Sequence, residues 1–354
     1  MISISDKIDI KSMDIAELSE FLSGLSEPDY RAKQIFKWVQ SGIQSFDGMT
    51  DIPKSLREKL KDRAYIACAN IEKRYKSKLD STVKYLFSLC DGEYVESVLM
   101  EYKHGFTACI SSQVGCNMGC KFCASGLFGK TRDLTPSEML SQITAIQKDN
   151  DIRISNIVMM GMGEPLDNFE NSIKFLHLVS HSDGLNIGLR HISLSSCGVV
   201  SGIRKLGDCE MPITLSISLH APFDDIRNSI MPVNRKWNIE ELLSACHEYQ
   251  SKTHRRISFE YALISGVNDS DRCAKELARI TKGIMCHINL IPVNPVKENG
   301  YQKPNTEKIN AFKNLLNTLG CNATVRRTLG ADISASCGQL RKKAREVTDI
   351  ASVQ

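Results

Sequence analysis

The sequence predicts an α/β fold: a partial (β/α)6 barrel preceded by a small N-terminal helical accessory domain and a β-hairpin extension. Three observations predict it. From residue 107 onward, apolar runs of strand length alternate with amphipathic stretches of helix length, the pattern of βα units around a parallel sheet. Between 68 and 100 the pattern is instead strict alternation, as at 83–89 and 94–100, with Asp91 and Gly92 supplying the turn of a hairpin. Residues 1–65 carry helix signals only. The division expected is therefore a helical module at 1–65, a hairpin at 66–100 and a core with a C-terminal loop at 101–345.

The first helices are expected at 15–25, 29–41 and 54–63, the last opening after Asp51, Ile52 and Pro53. Core strands are expected at 108–112, 156–160, 191–195, 213–219, 257–263, 287–291 and 323–326. Thr135, Pro136 and Glu138 form a capping box with proline at the first helical position, opening a helix that runs to about 148. Further helices are expected at 168–181, 239–251, 271–282 and 306–319, so six consecutive units build an open or partial barrel.

A chain of 354 residues is long enough for a large core and an accessory domain, and 42% hydrophobic with 24% charged residues is ordinary for a soluble protein. The N-terminus has no basic start followed by an apolar stretch, and no uncharged run is long enough to span a membrane, so a cytoplasmic protein with no membrane partner is expected. Thirteen cysteines in such a protein argue against a disulfide framework and for metal or redox chemistry at a few of them. The net charge of +4 neither demands nor excludes nucleic acid. Two basic clusters stand out. Residues 72–84 hold Lys73, Arg74, Lys76, Lys78 and Lys84 against two acids, and residues 321–347 hold Arg326, Arg327, Arg341, Lys342, Lys343 and Arg345 against two. Either could grip phosphates, although a solvated face is the ordinary reading of a charge run.

The sharpest chemical signal is Cys116, Cys120 and Cys123, a C-x3-C-x2-C loop that gathers three thiolates around one point. A [4Fe–4S] cube takes one ligand per iron, so three cysteines leave one iron open for a small molecule. A zinc site with a fourth ligand from elsewhere, or three unconnected core cysteines, are the alternatives. Other unusual residues fall where a barrel places its chemistry, at the C-terminal ends of strands. They include Gly161, Gly163 and Glu164, then Ser195 and Cys197, then Ser218, Leu219 and His220, and finally Asn294. Each alone is an ordinary turn or strand end, and their common placement is the signal.

The cysteine spacing resembles the radical S-adenosylmethionine (SAM) superfamily, in which SAM chelates the open iron. With 160–168, 218–222 and 332–340 added, nearly the whole chain resembles the RlmN family of dual-specificity RNA methyltransferases. The resemblance implies a radical-SAM barrel with an RNA-binding N-terminal module. It implies methylation of carbon 2 of an adenine in 23S rRNA and, in some bacteria, in tRNA. Cys116, Cys120 and Cys123 would hold a [4Fe–4S] cluster, and Gly163, Glu164, Ser195, Ser218, Leu219, His220 and Asn294 would contact SAM. Cys337 would carry the methyl group, Cys109 would resolve the protein–RNA adduct through a disulfide, and Glu96 would accept a proton. An electron donor such as flavodoxin or ferredoxin and a monomeric state are also expected. The family sequence commonly has Thr then Ser before Gly198, whereas Ser196 and Cys197 stand here, which leaves the role of Cys197 open.

The resemblance also rationalises two thiols outside the cluster loop. Carbon 2 of adenine is electron-poor, so direct transfer from SAM should fail, whereas a cysteine thiolate is a competent first acceptor. In the family mechanism a second SAM supplies a radical that activates the methyl group on Cys337 for addition to the ring. The nearest rival is an adenine carbon 8 methyltransferase of the same branch, against which Pro165, Asp167 and Asn168 fit the carbon 2 group. A rival of another class is a non-catalytic iron–sulfur or zinc protein that binds RNA.

Overall fold

The computed structural model describes residues 7–296, 298 and 300–340. Arg341, Lys342, Lys343 and Arg345 of the second basic cluster, and the end of the expected 101–345 segment, lie outside the described residues. In chain order the elements are β1 (Ile8–Asp9), α1 (Ile15–Ser23), α2 (Tyr30–Gln40), α3 (Lys54–Arg63), β2 (Ala64–Tyr65), β3 (Asn70–Lys76), β4 (Val83–Ser88), β5 (Tyr94–Tyr102), β6 (Gly105–Cys109) and β7 (Gln113–Gly115). They continue with β8 (Lys130–Asp133), α4 (Pro136–Asn150), β9 (Ile154–Met159), α5 (Phe169–Ser180), β10 (Ile192–Ser196), α6 (Val200–Asp208), β11 (Thr214–Ser218) and α7 (Asp224–Ile230). The last are α8 (Ile239–Thr253), β12 (Ile257–Leu263), α9 (Asp271–Ile280), β13 (Cys286–Pro292), α10 (Thr306–Thr318) and β14 (Ala323–Val325).

One ten-stranded sheet carries the architecture, in the order β14-β13-β12-β11-β10-β9-β6-β5-β4-β3. The seven strands from β6 and β9 to β14 are parallel, as the βα alternation requires, while β3 to β6 are antiparallel. Because β14 and β3 end the order, the barrel stays open. Each inner strand alternates faces. Leu194, Leu215, Ile217, Phe259 and Leu290 are fully buried, whereas Ser193, Ser216, Ser258 and Asn289 form a hydrogen-bonded polar layer on the other face. That polar face continues to the strand ends that build the site.

Three parts of the fold differ from expectation: the region of β3 to β5, the helices α6 and α7, and the strands flanking the cysteine loop. The hairpin 83–100 forms, with Gly92 at φ +81°, but it is built into the main sheet between β6 and β3, and β3 forms the edge outside it. β3 is exposed throughout, so it lacks the half-buried alternation that marks a strand. The helices α6 and α7 lack a side-chain cap, and Gly202 and Gly207 interrupt α6; these are the signals whose absence hides a helix. Finally β7 and β8 form a small hairpin around the cysteine loop. A Cβ at Gly115, which has φ +80°, would lie 1.9 Å from the Gly129 carbonyl oxygen, so only glycine closes it.

The helical module is tied to the barrel at α4. Lys11 is buried, and its Nζ donates to Ser141 Oγ at 2.8 Å, while Ser137 Oγ donates to Asp9. Burial lowers the Lys11 pKa from 10.5 to about 8, opposed by the charges of Cys68 and Asp9. Between those two values the unfolded chain holds a proton that the folded chain has released, so stability rises with pH across that window. Relative to Lys11→Met, the melting temperature of the wild type should therefore climb as pH rises from 8 to 10.5. A constant difference between the two proteins over that range would show that Lys11 keeps its charge in the fold.

Candidate active site

At the C-terminal ends of the parallel strands lies a cleft of about 160 Å³. Cys116, Cys120 and Cys123 all line it. Their loop is held by main-chain bonds from Cys116 N to Gly129 O at 3.2 Å and from Lys121 N to Ile230 O at 2.9 Å. Ala124 N also donates to Gly338 O at 2.7 Å, which joins this loop to the segment carrying Cys337. Burial pushes Cys116 up to about 12 and raises Cys123, and it holds Cys120 well above the ordinary thiol value, with the neighbouring thiols adding to the shift at each. Three adjacent half-buried thiols with raised pKa values ionise together when a cation shares the site.

The other donors in this wall are already committed. Glu164 accepts from Cys197 N at 2.7 Å through Oε2 and from Leu166 N at 3.0 Å through Oε1, and burial raises its pKa. His220, held at φ +57°, accepts from Ala262 N at 2.9 Å through Nδ1, so its proton sits on Nε2. Burial, reinforced by the charge of Arg227, lowers its pKa to about 3, and the ring is neutral. Among the described residues, no three His, Cys, Asp or Glu side chains converge as ligands of one ion. The cysteines of a cube each take a separate iron, so the donor set fits a cluster with one iron left open.

Of the remaining expected contacts, Gly163, Ser195, Ser218 and Asn294 line the same cleft. A Cβ at Gly163, which has φ +103°, would lie 2.6 Å from Gln113 Cβ, so the turn requires glycine. Leu219 is different. Its side chain is fully buried away from the cleft, and its carbonyl accepts from Arg227 Nε at 3.0 Å. Cys197 lines the cleft as a thiol held protonated by burial and by the charge of Glu164.

A second, smaller cavity of about 40 Å³ adjoins the first, and Cys337, Asn294, Arg326, Met160 and Ile291 border both. Cys109 lines only the second. Both thiols are free, and burial, with the charge of Cys337, pushes Cys109 up to about 12 against the opposing charge of Arg326. Glu96 lines neither cavity. It shares a strand face with Val98 and Met100, which do line the second, and is paired at 3.1 Å with Lys84. Sequence reasoning missed Glu260, a cleft residue whose Oε1 accepts from Ser258 Oγ and Asn289 Nδ2, both at 3.1 Å. A carboxylate inside an otherwise apolar strand was the available signal.

The two basic clusters are thinned by the fold. Lys84 is buried against Glu96, Arg74 pairs with Asp149 at 2.9 Å, and Arg326 belongs to the cavities. Lys73, Lys76, Lys78 and Arg327 remain exposed.

An open parallel α/β sheet with a three-cysteine loop at its strand ends defines a radical SAM enzyme. A family model of the radical SAM superfamily matches residues 110–275, and one described as the ribosomal RNA large subunit methyltransferase N-terminal domain matches 8–66. The chain is 53% identical over 96% of its length to a protein of Alkaliphilus oremlandii described as "Probable dual-specificity RNA methyltransferase RlmN", of which 98% is covered. A protein of Lachnoclostridium phytofermentans with the same description is 50% identical over 100% of this chain and 99% of its own. Among solved structures, a radical SAM methyltransferase from Sphaerobacter thermophilus superposes with a TM-score of 0.90 at 43% identity, covering 94% of this chain and 99% of that one. The chain belongs to the RlmN family. It is a radical SAM RNA methyltransferase whose cofactors are a [4Fe–4S] cluster and SAM.

The segment carrying Cys337 is anchored through Asp332, which accepts from Ser77 Oγ and Lys78 N, both at 2.7 Å. Asp332→Ala should release it, so that iodoacetamide alkylates Cys337 roughly tenfold faster. An unchanged alkylation rate would show that the other bonds hold the segment alone.

Proposed function

We propose that this chain methylates carbon 2 of an adenine in 23S rRNA and in tRNA, with Cys337 as the methyl carrier. The observation that carries this reading is that Cys337 borders both cavities: the one lined by the three-cysteine loop, and the one it shares with Cys109. A carrier thiol has to meet a methyl donor on one side and the acceptor base on the other. When bound through Cys116, Cys120 and Cys123, the cluster with SAM supplies a 5′-deoxyadenosyl radical, and SAM is also the methyl source.

The chain's own residues have separable parts in this reading. Gly163, Glu164, Ser195, Ser218, His220 and Asn294 contact SAM, with His220 offering its Nε2 proton and Leu219 contributing only through its backbone. Arg326 borders the cavity that both thiols share. Cys109 attacks the Cys337 sulfur after the methyl carbon has bonded to the ring, so one S–S bond forms as the S–C bond to the product breaks. Cys109 borders the cavity where the base would sit, whereas Glu96 stands behind it with Lys84. Cys109, as its thiolate, therefore takes the ring proton and passes it to Glu96, which leaves the thiolate free to attack.

The relatives' dual-specificity description supports both RNA classes. The exposed lysines of β3 and its following turn support phosphate contact beside the Cys337 segment. We further propose that the protein acts as a cytoplasmic monomer and draws its electron from a flavodoxin or ferredoxin. Among the described residues, no helix is long and apolar enough to cross a membrane.

Cys337→Ala should abolish RNA methylation with the iron content unchanged, and Cys109→Ala should accumulate protein joined covalently to RNA through Cys337. Mass spectrometry of the methylated adenosine distinguishes carbon 2 from carbon 8. Normal turnover by either variant would refute its role. For the RNA surface, Lys73→Glu with Lys76→Glu should weaken binding and flatten its salt slope by about one for each phosphate no longer neutralised. Unaltered affinity across salt concentrations would remove β3 from the interface.

A further inference from the structure

Arg227, on the short helix α7, is fully buried. Its guanidinium makes four hydrogen bonds: Nε to Leu219 O at 3.0 Å, Nη2 to Cys197 O at 2.7 Å and to Ser218 O at 3.2 Å, and Nη1 to Asn234 Oδ1 at 2.8 Å. None of these acceptors is a carboxylate. Asp224 is held one step away, where its Oδ1 accepts from Asn234 Nδ2 at 2.8 Å. Three carbonyl dipoles and an amide solvate the cation in part, but a buried charge without an ionic partner remains costly. Ordinary packing gives no reason to keep an arginine here.

Cys197, whose carbonyl this guanidinium holds, lines the cleft together with Cys116, Cys120 and Cys123, and Ile230 at the end of α7 accepts from Lys121 N of the cysteine loop at 2.9 Å. With Cys116, Cys120 and Cys123 as the proposed cluster ligands, the charge of the site can be counted. An oxidised cube core of charge 2+ with three thiolates carries a net charge of 1−. Uptake of one electron makes it 2−, and no proton accompanies that electron. A fixed cation behind this wall of the cleft stabilises the more negative state in a low-dielectric site.

We propose that Arg227 is the built-in counter-charge of the iron–sulfur site, a positioning residue that raises the cluster's reduction potential and fixes the ends of β10 and β11. Its two tasks separate chemically. The charge acts on the potential, whereas the fork of donors to Cys197, Ser218 and Leu219 carbonyls holds the strand ends that line the cleft.

The test is a dithionite and mediator titration of anaerobically reconstituted protein, followed by electron paramagnetic resonance, with iron and sulfide content measured alongside. Arg227→Met should hold four irons at a clearly lower midpoint potential. Arg227→Lys, which keeps the charge but not the fork, should retain a potential near that of the wild type while binding SAM more weakly. A full cluster at an unchanged potential in Arg227→Met would overturn the proposal. If that variant assembles no cluster, Asn234→Asp decides, because it sets a carboxylate against the retained guanidinium. Its potential should fall, and an unchanged value would overturn the proposal equally. Loss of the ligand assignment looks different: Cys120→Ala would then keep its full iron content whatever stands at 227.

Discussion

The bond between Asp332 and the turn after β3 fixes the one segment on which the proposed chemistry depends. Residues 329–340 contain a single short helical turn, Ala331–Ile333, and no strand, so the backbone there cannot position itself through a ladder. Its place is set from several sides. Asp332 takes Ser77 and Lys78 as donors, Asp80 accepts from Gly330 N at 3.0 Å, and Gln339 reaches Pro295 O at 3.0 Å. Asn294 donates to the carbonyl of Cys337 itself at 3.1 Å. These bonds come from the sheet's far edge and from the loop after β13, so Cys337 stays between the two cavities only while both ends of the sheet keep their relation. The donors on Asp332 also hold its carboxyl below the usual range, which keeps the anchor ionised.

The cleft combines polar groups with an interior that charges resist, and the chain manages this by committing each group. Glu164 is given two backbone donors, and His220 is kept neutral with a defined tautomer. Arg326 is left close to two thiols and 3.8 Å from Glu260. Glu260 Oε2 is buried without a hydrogen-bond partner of its own, so that ion pair is its main compensation. Such an arrangement is costly to the fold and is retained where charge has to be present before a reaction starts.

Much of the core was legible because its parallel strands are short apolar runs bounded by glycine and proline, and because α4 and α8 open on complete capping boxes. The strand β3 was not, since both its faces are solvated and period-2 patterning needs one buried face. At the site, the three-cysteine loop could be read from spacing alone because its ligands are neighbours in sequence. Cys109 and Cys337 could not. They come together only when β6 and the segment after β14 meet around one cavity, and by residue type each looks like packing. Leu219 shares a motif with Ser218 and His220, but a strand end that turns at a positive φ sends adjacent side chains to opposite sides. Arg227 gave no sequence signal, because three of its four acceptors are backbone carbonyls, which every residue possesses.

The edge strand shows how one stretch serves two demands. A free β edge invites pairing with other chains, and charged residues at 72–74 and 76 oppose that. The same charges suit a polyanion, yet an edge that bends on contact would move Asp332 and with it Cys337. The turn after β3 resists this by saturating its own donors. Ser77 N donates to Thr82 O at 2.9 Å, Ser77 Oγ accepts from Leu79 N at 3.0 Å, and Asp80 Oδ1 accepts from Thr82 N at 2.9 Å. Ser77 itself is buried although its neighbours are exposed. The anchor of the catalytic segment is therefore stiff at a place where the surface around it is open, which lets a charged partner lie along the edge without displacing the thiol it is meant to meet.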